Sequence, residues 1–81
     1  MQHMRICDLN GEKVALYYTL PANGSCSALI KVHSESSLPE KALEGLKKIM
    51  NWGNMSSERL THHLKEGLWL NIQQFGTLFA N

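Results

Sequence analysis

Cysteine and proline are scarce in this sequence, and neither sign of charge is in clear excess. Its 81 residues include two cysteines and two prolines, and eight basic side chains are balanced by seven acidic ones to a net charge of +1. Two cysteines are too few for the disulfide framework that stabilises many small secreted domains. The basic residues are also scattered, whereas nucleic-acid binding needs clustered positive charge. These shortages argue against a secreted disulfide scaffold and against nucleic-acid binding through contacts with the phosphate backbone.

Long apolar runs and short catalytic motifs are missing as well. No run approaches the roughly 20 residues that a membrane-spanning helix needs, and no basic-then-apolar leader opens the chain. We therefore expect a cytoplasmic protein. No G-x-S-x-G, P-loop, G-x-G-x-x-G or H-E-x-x-H pattern occurs in the sequence. The sequence thus predicts no catalytic residue, no metal site and no cofactor.

The remaining composition is typical of one globular domain spanning residues 1–81. Apolar side chains make up 43% of the chain and charged ones 19%, and this apolar content is close to the average for folded proteins. A core of this size supplies only a few kcal/mol of stability, and small proteins often gain more by oligomerisation. A homodimer is therefore a reasonable expectation from length alone.

The N-terminal half carries a strong hairpin signal. Asn10-Gly11 lies between two β-prone segments, residues 5–9 and 13–20. An Asn-Gly pair favours a two-residue hairpin turn because both turn positions require a positive φ. A stretch of turn-forming residues follows, and residues 26–33 then return to an alternating apolar pattern. We predict a three-stranded antiparallel β-meander over this half of the chain.

Two helices are predicted after the meander. Residues 37–40, Ser-Leu-Pro-Glu, fit a capping box with proline in the first turn, and apolar residues then recur at helical spacing. Gly53 is placed to cap the end of this helix. Ser56 or Ser57 starts the second helix. The predicted class is α+β, in the order β-β-β-α-α, with both helices packed on one face of the sheet.

The C-terminal segment allows two interpretations. If Gly67 ends the second helix, residues 68–75 alternate like a fourth strand between two glycines. If the helix continues through Gly67, six apolar residues form one stripe along it: Leu60, Leu64, Leu68, Ile72, Phe75 and Phe79. We favour the continuous helix because all six positions fit its period.

Histidine and cysteine are the side chains that could still form a site by folding together. The set is Cys7, Cys26, His33, His62 and His63. Structural zinc sites bring their ligands in closely spaced pairs, whereas these cysteines lie alone on different predicted strands. Both are better explained as small buried hydrophobes. An enzyme assembled from this set is the last of three functional hypotheses.

Apolar side chains on both faces of the predicted sheet are more informative. Two helices can cover one face of a small sheet, which leaves Ala15, Tyr17 and Leu29 on the other. Trp69 points away from the main apolar stripe in either interpretation of the C-terminal segment. Exposed aromatic and apolar groups commonly anchor protein interfaces. We identify Ala15, Tyr17, Leu29 and Trp69 as candidate interface residues.

The first hypothesis is therefore a non-enzymatic interaction or regulatory protein that binds a protein partner or a second copy of itself. The alternative is a small nucleic-acid-binding domain, since aromatic side chains on a sheet can stack with bases. It would use the tyrosines of the sheet together with Lys13, Lys31, Lys47 and Lys48. The dispersion of these lysines weighs against it. No membrane partner is predicted.

Overall fold

The computed structural model describes residues 2–21 and 27–80. These residues form a four-stranded antiparallel sheet and three helices, which confirms the predicted α+β class. The elements in chain order are β1 (Gln2–Leu9), β2 (Glu12–Thr19), β3 (Ser27–Lys31), α1 (Glu40–Met50), α2 (Ser57–Glu66), β4 (Leu68–Asn71) and α3 (Ile72–Leu78). The sheet order is β1-β2-β3-β4. In the sequence, α1 and α2 both come between β3 and β4, and these two strands are neighbours in the sheet.

The β1–β2 hairpin forms where the Asn-Gly pair predicted it. Asn10 and Gly11 have φ angles of 57° and 87°, the two positive values that this turn requires. Asp8 holds the turn, since its carboxylate accepts hydrogen bonds from the Gly11 amide at 2.9 Å and from Lys13 Nζ at 3.2 Å. The Gly11 hydrogen bond, followed by Lys13, lowers the pKa of Asp8. Most of the predicted turn after β2, together with Cys26, lies outside the described residues.

Helix α1 forms as predicted, but its caps differ from the expected ones. The helix begins at Glu40, and Pro39 occupies the N-cap position with no side-chain hydrogen bond. The predicted capping box is wrong because Ser37 lies too far upstream to reach the first turn. At the other end the C-cap is Asn51 rather than Gly53. Asn51 has a φ of 60°, a left-handed conformation that asparagine tolerates better than most residues.

The favoured continuous C-terminal helix is wrong. Helix α2 starts after Ser56, whose hydroxyl caps the Arg59 amide as predicted, and it ends at Glu66. Gly67 follows with a φ of 112°, a conformation outside the helical region that glycine adopts without strain. The chain then enters β4, which pairs with β3. Asn71 begins α3 with a capping box to Gln74.

All helices of the described chain pack against the same face of the sheet. Each of them contacts at least one strand, and the largest core side chains are enclosed between the two layers. The fully buried set is Leu9, Leu16, Ile30, Leu46, Leu60, Leu64, Leu70 and Leu78. Burying such a side chain stabilises the fold by about 1.5–3 kcal/mol. No helix among these residues is both long and apolar enough to cross a membrane.

Candidate functional site

The strands present their alternate side chains to a surface that no described helix covers. The register places Ala15 opposite Ile6, Tyr17 opposite Met4, and Leu29 opposite Trp69. In antiparallel pairs, opposite residues share a face of the sheet. We call this surface the open face. Its side chains are Gln2, Met4, Ile6, Asp8, Lys13, Ala15, Tyr17, Thr19, Ser27, Leu29, Lys31, Trp69 and Asn71.

The open face carries accessible apolar side chains on its two edge strands, β1 and β4. Trp69 is 59% exposed, Ile6 56% and Met4 54%. Tyr17 and Leu29 are half-buried beside them. Large apolar residues exposed singly are normal on a protein surface, whereas several on one face mark a binding surface. The open face is therefore the strongest candidate for a functional site in the described chain.

Packing against Gly67 explains why Leu29 is half-buried, whereas its strand partner Trp69 is exposed. A Cβ atom on Gly67 would lie 3.0 Å from Leu29 Cδ1, so the missing side chain at Gly67 leaves room for the leucine. Leu29 fills this space at the turn between α2 and β4. The flat ring of its strand partner, Trp69, is left facing solvent.

Charged side chains lie at the hairpin end and in the middle of the open face. At the hairpin end, Lys13 Nζ lies 3.2 Å from an Asp8 carboxylate oxygen. Lys31 lies on the central strand β3, directly across from Tyr17 and two residues from Leu29. The open face therefore combines apolar side chains with a few charges of both signs.

All four predicted interface residues lie on the open face. Ala15 and Tyr17 are on β2, Leu29 is on β3, and Trp69 is on β4. Met4 and Ile6, which extend the apolar surface onto β1, were not predicted as interface residues. The signal was available, because both alternate with the inward-facing residues of β1. Met4 lay outside the predicted strand, which began at residue 5, and no face was assigned to Ile6.

The second tyrosine of the sheet is not available on this surface. Tyr18 points to the helix side, where its ring centroid lies 5.2 Å from that of Phe75 and 5.5 Å from that of Phe79. His3 stacks on Tyr18 at 5.1 Å, and the Arg5 guanidinium lies 5.4 Å from the Phe79 ring centroid. Tyr18 therefore cannot contribute to base stacking as the nucleic-acid alternative supposed.

Lys47 is also unavailable as a nucleic-acid contact. It is a buried charged residue, 9% exposed, and its ammonium lies 3.0 Å from Glu44 Oε1 and 2.9 Å from Ser57 Oγ. Ser57 in turn donates to Glu40 Oε1 at 2.6 Å. Lys47 lowers the pKa of Glu44, first through their hydrogen bond and then through its charge. These polar contacts tie α1 to α2.

A serine beside a lysine can in principle be a nucleophile with its base. Lys47 Nζ instead lies 3.0 Å from a Glu44 carboxylate oxygen, in an ion pair. Ser57 moreover donates its proton to Glu40. The network is explained by its structural role between the helices.

Cys26 lies outside the described residues, and the other cysteine and histidine candidates do not form a metal-binding group. Cys7 is buried in the helix-facing side of β1, and burial raises the pKa of its thiol to about 11. The thiol is therefore protonated at neutral pH and is a poor nucleophile. His33 follows β3, whereas His62 and His63 lie on α2. Within residues 2–21 and 27–80, no three His, Cys, Asp or Glu side chains are grouped so that they could hold a metal ion.

A wide cavity of about 610 Å³ lies at the connection between α1 and α2. Its lining comprises Asn51, Trp52, Gly53, Asn54, Met55 and Arg59. Trp52 and Met55 pack against the core, as expected for residues that close a loop. Arg59, the charged residue of this lining, donates to His63 Nε2 at 3.5 Å.

No protein family, curated protein or solved structure matches this chain. The open face and the chemistry of its side chains are therefore the features from which function is inferred.

Proposed function

We propose that this chain is a protein-interaction module that binds through the open face, with a second copy of the chain as the partner. One observation carries the proposal: Met4, Ile6 and Trp69 are each more than half exposed on the same uncovered face of the sheet. Tyr17 and Leu29 lie on the two central strands, between Met4 and Ile6 on one edge and Trp69 on the other. The function is binding, and it requires no cofactor.

The size of the open face suits a modest self-association. With about 3.3 Å per residue along a strand and about 4.8 Å between strands, strands of these lengths outline roughly 400 Å². Side chains protrude, so the accessible area is larger than this outline. The area of the open face is therefore somewhat smaller than the ~800 Å² per partner of a standard interface. We expect a dissociation constant between about 10 µM and 1 mM.

The open face carries few charges. Asp8 and Lys13 form an ion pair at the hairpin end, and Lys31 lies on the central strand β3. Like charges placed opposite one another disfavour pairing, so two copies would have to meet with their Lys31 side chains offset from one another. Small domains also commonly gain stability by association.

Sedimentation of the full chain at rising concentration tests this proposal. We expect a reversible monomer–dimer equilibrium that is abolished by combining Ile6→Thr with Trp69→Thr, because threonine keeps the strand propensity while removing apolar area. Ile72→Thr is the matched control, since Ile72 is 51% exposed but lies on α3 rather than on the open face. A chain that stays monomeric at 1 mM would overturn the pairing.

Trp69 itself supplies a second readout. In a Trp52→Phe background, its fluorescence should shift to the blue as the chain associates, because the ring leaves water. The half-dissociation concentration from this shift should equal the one from sedimentation. A spectrum that is independent of concentration, in a chain that does dimerise, would place the interface elsewhere on the molecule.

A second candidate is the binding of single-stranded nucleic acid. It is favoured by Tyr17 and Trp69, whose rings lie on one face of the sheet together with Lys31; aromatic side chains of this kind stack with bases. The loss of Tyr18 and Lys47 to internal packing weakens it. Quenching of Trp69 fluorescence by an oligonucleotide, with an affinity that falls steeply as salt rises, would support this candidate over the first.

A further inference from the structure

A small cavity of about 300 Å³ lies at one corner of the open face. Here the start of β1 and the end of β3 flank the second half of β2. The cavity is lined by Gln2, Tyr17, Lys31, Val32, His33 and Ser34. Tyr17 also belongs to the apolar surface described above, so the cavity opens beside that surface but is made mostly of polar groups.

The lining of this corner cavity is rich in hydrogen-bond donors. Lys31 contributes an ammonium, Tyr17 and Ser34 contribute hydroxyls, and Gln2 contributes an amide. The His33 ring is oriented by the backbone, because its Nδ1 accepts a hydrogen bond from the Glu35 amide at 3.2 Å. In the neutral imidazole the proton must then be on Nε2, which makes that atom a donor.

The charge balance of the corner cavity is positive. Among the residues that line it, there is one ammonium group and no carboxylate. The ion pairs found between described residues join Lys13 to Asp8 and Lys47 to Glu44, and Lys31 belongs to neither of them. Lys31 is half-buried, so water screens its charge less than that of a lysine extended into solvent.

We propose that the corner cavity binds an oxyanion, either the phosphate or the carboxylate of a ligand. Lys31 supplies the charge, and the Tyr17 hydroxyl and the His33 ring supply neutral donors from the lining of the cavity. Hydrogen bonds from charged donors to anionic oxygens are stronger than neutral ones. Tyr17 and Lys31 also belong to the open face, so a free oxyanion enters the cavity from solvent in the unpaired chain.

The test is a titration of the full chain with inorganic phosphate and, separately, with acetate, at constant ionic strength set by sodium chloride. Amide chemical shifts of Val32, His33 and Ser34 report on binding. We expect saturable shifts for at least one anion, with a dissociation constant of about 1–10 mM. Lys31→Gln should weaken this binding at least tenfold. Lys13→Gln, on the same face but at the hairpin end, should leave it unchanged.

The two anions distinguish the sources of the oxyanion. Saturation by phosphate alone would assign the cavity to a phosphate-bearing ligand, and saturation by acetate would assign it to a carboxylate. Amide shifts that grow linearly with both anions and never saturate would overturn the proposal. So would an affinity that is equal in the Lys31→Gln chain. Because dimerisation is measured separately on the same samples, failure here is distinguishable from failure of the pairing.

Discussion

At the residue scale, Cys7 shows how burial decides the chemistry of a side chain. The sequence predicted a small buried hydrophobe, and the thiol is 5% exposed beneath the helices. Burial is the main cause that raises its pKa from the ordinary 9.0 to about 11, and the negative charge of Asp8 adds to it. Arg5 acts in the opposite sense but more weakly. The thiol therefore serves packing rather than reactivity.

The shifted pKa makes stability depend on pH in the alkaline range. Because the folded thiol keeps its proton to a higher pH than the unfolded one, its contribution is fully present below about pH 9 and is lost as the pH rises through 11. The loss should be on the order of 2 kcal/mol. Urea unfolding from pH 8 to 11, in a Cys26→Ser background, measures it.

Lysine and tyrosine side chains also titrate in this range, so a matched variant is needed. Adding Cys7→Ala to the same background lowers stability at every pH but should remove the part of the pH dependence that belongs to the thiol. If the difference in unfolding free energy between the two chains stays constant from pH 8 to 11, the account of Cys7 is wrong.

At the element scale, the two glycines inside helices face opposite surroundings. A Cβ atom on Gly45 of α1 would lie 2.8 Å from Asn10 Cβ and 3.0 Å from the Asn10 backbone nitrogen. Asn10 also donates to the Lys41 carbonyl at 3.2 Å. Helix α1 thus packs directly onto the hairpin turn. Gly76 of α3 has no such neighbour within 4 Å.

These surroundings predict opposite effects of one substitution. Gly45→Ala should lower the free energy of unfolding by about 1–3 kcal/mol, because a backbone atom cannot move aside cheaply. Gly76→Ala should raise it by about 0.5–1 kcal/mol, since alanine favours the helix and meets nothing. Chemical denaturation of the two variants beside the wild type measures both. A stabilised Gly45→Ala chain would contradict the close approach.

The elements also show what could be predicted from the sequence. The hairpin was predictable because Asn10-Gly11 determines its own turn locally. The C-terminal segment was not, because the apolar stripe through Leu68 and Ile72 fits a helix although Ile72 is 51% exposed and Leu70, off the stripe, is buried. Pairing with β3 outweighs that local pattern. The local signal for α3 was the Asn71 capping box.

At the scale of the whole molecule, the candidate site depends on one asymmetry: the sheet has helices on one face only. The sequence indicated this asymmetry, because Ala15, Tyr17, Leu29 and Trp69 were all placed away from the core. It could not indicate the corner cavity. That cavity depends on which residue of β3 lies beside Tyr17, and the predicted strand bounds were not precise enough to determine that register.

Pairing through the open face should couple stability to protein concentration. Association stabilises the folded chain by about 1.4 kcal/mol when the free concentration is ten times the dissociation constant. For a domain of this size that corresponds to roughly 6–11 °C in Tm. Calorimetry at 20 µM and 1 mM should show this rise in the wild type and in Ile72→Thr, but not in Ile6→Thr/Trp69→Thr. Equal Tm values at both concentrations in the wild type would contradict it.

The placement of β4 beside β3 has a consequence for how the chain reaches this structure. Residues 32–67, which include α1 and α2, separate the two strands in sequence, so their pairing closes a long loop and carries an entropic cost that the β1–β2 hairpin avoids. Contacts between distant parts of a chain slow folding. The hairpin can form within microseconds, whereas Trp69 should be among the last side chains to find its neighbours.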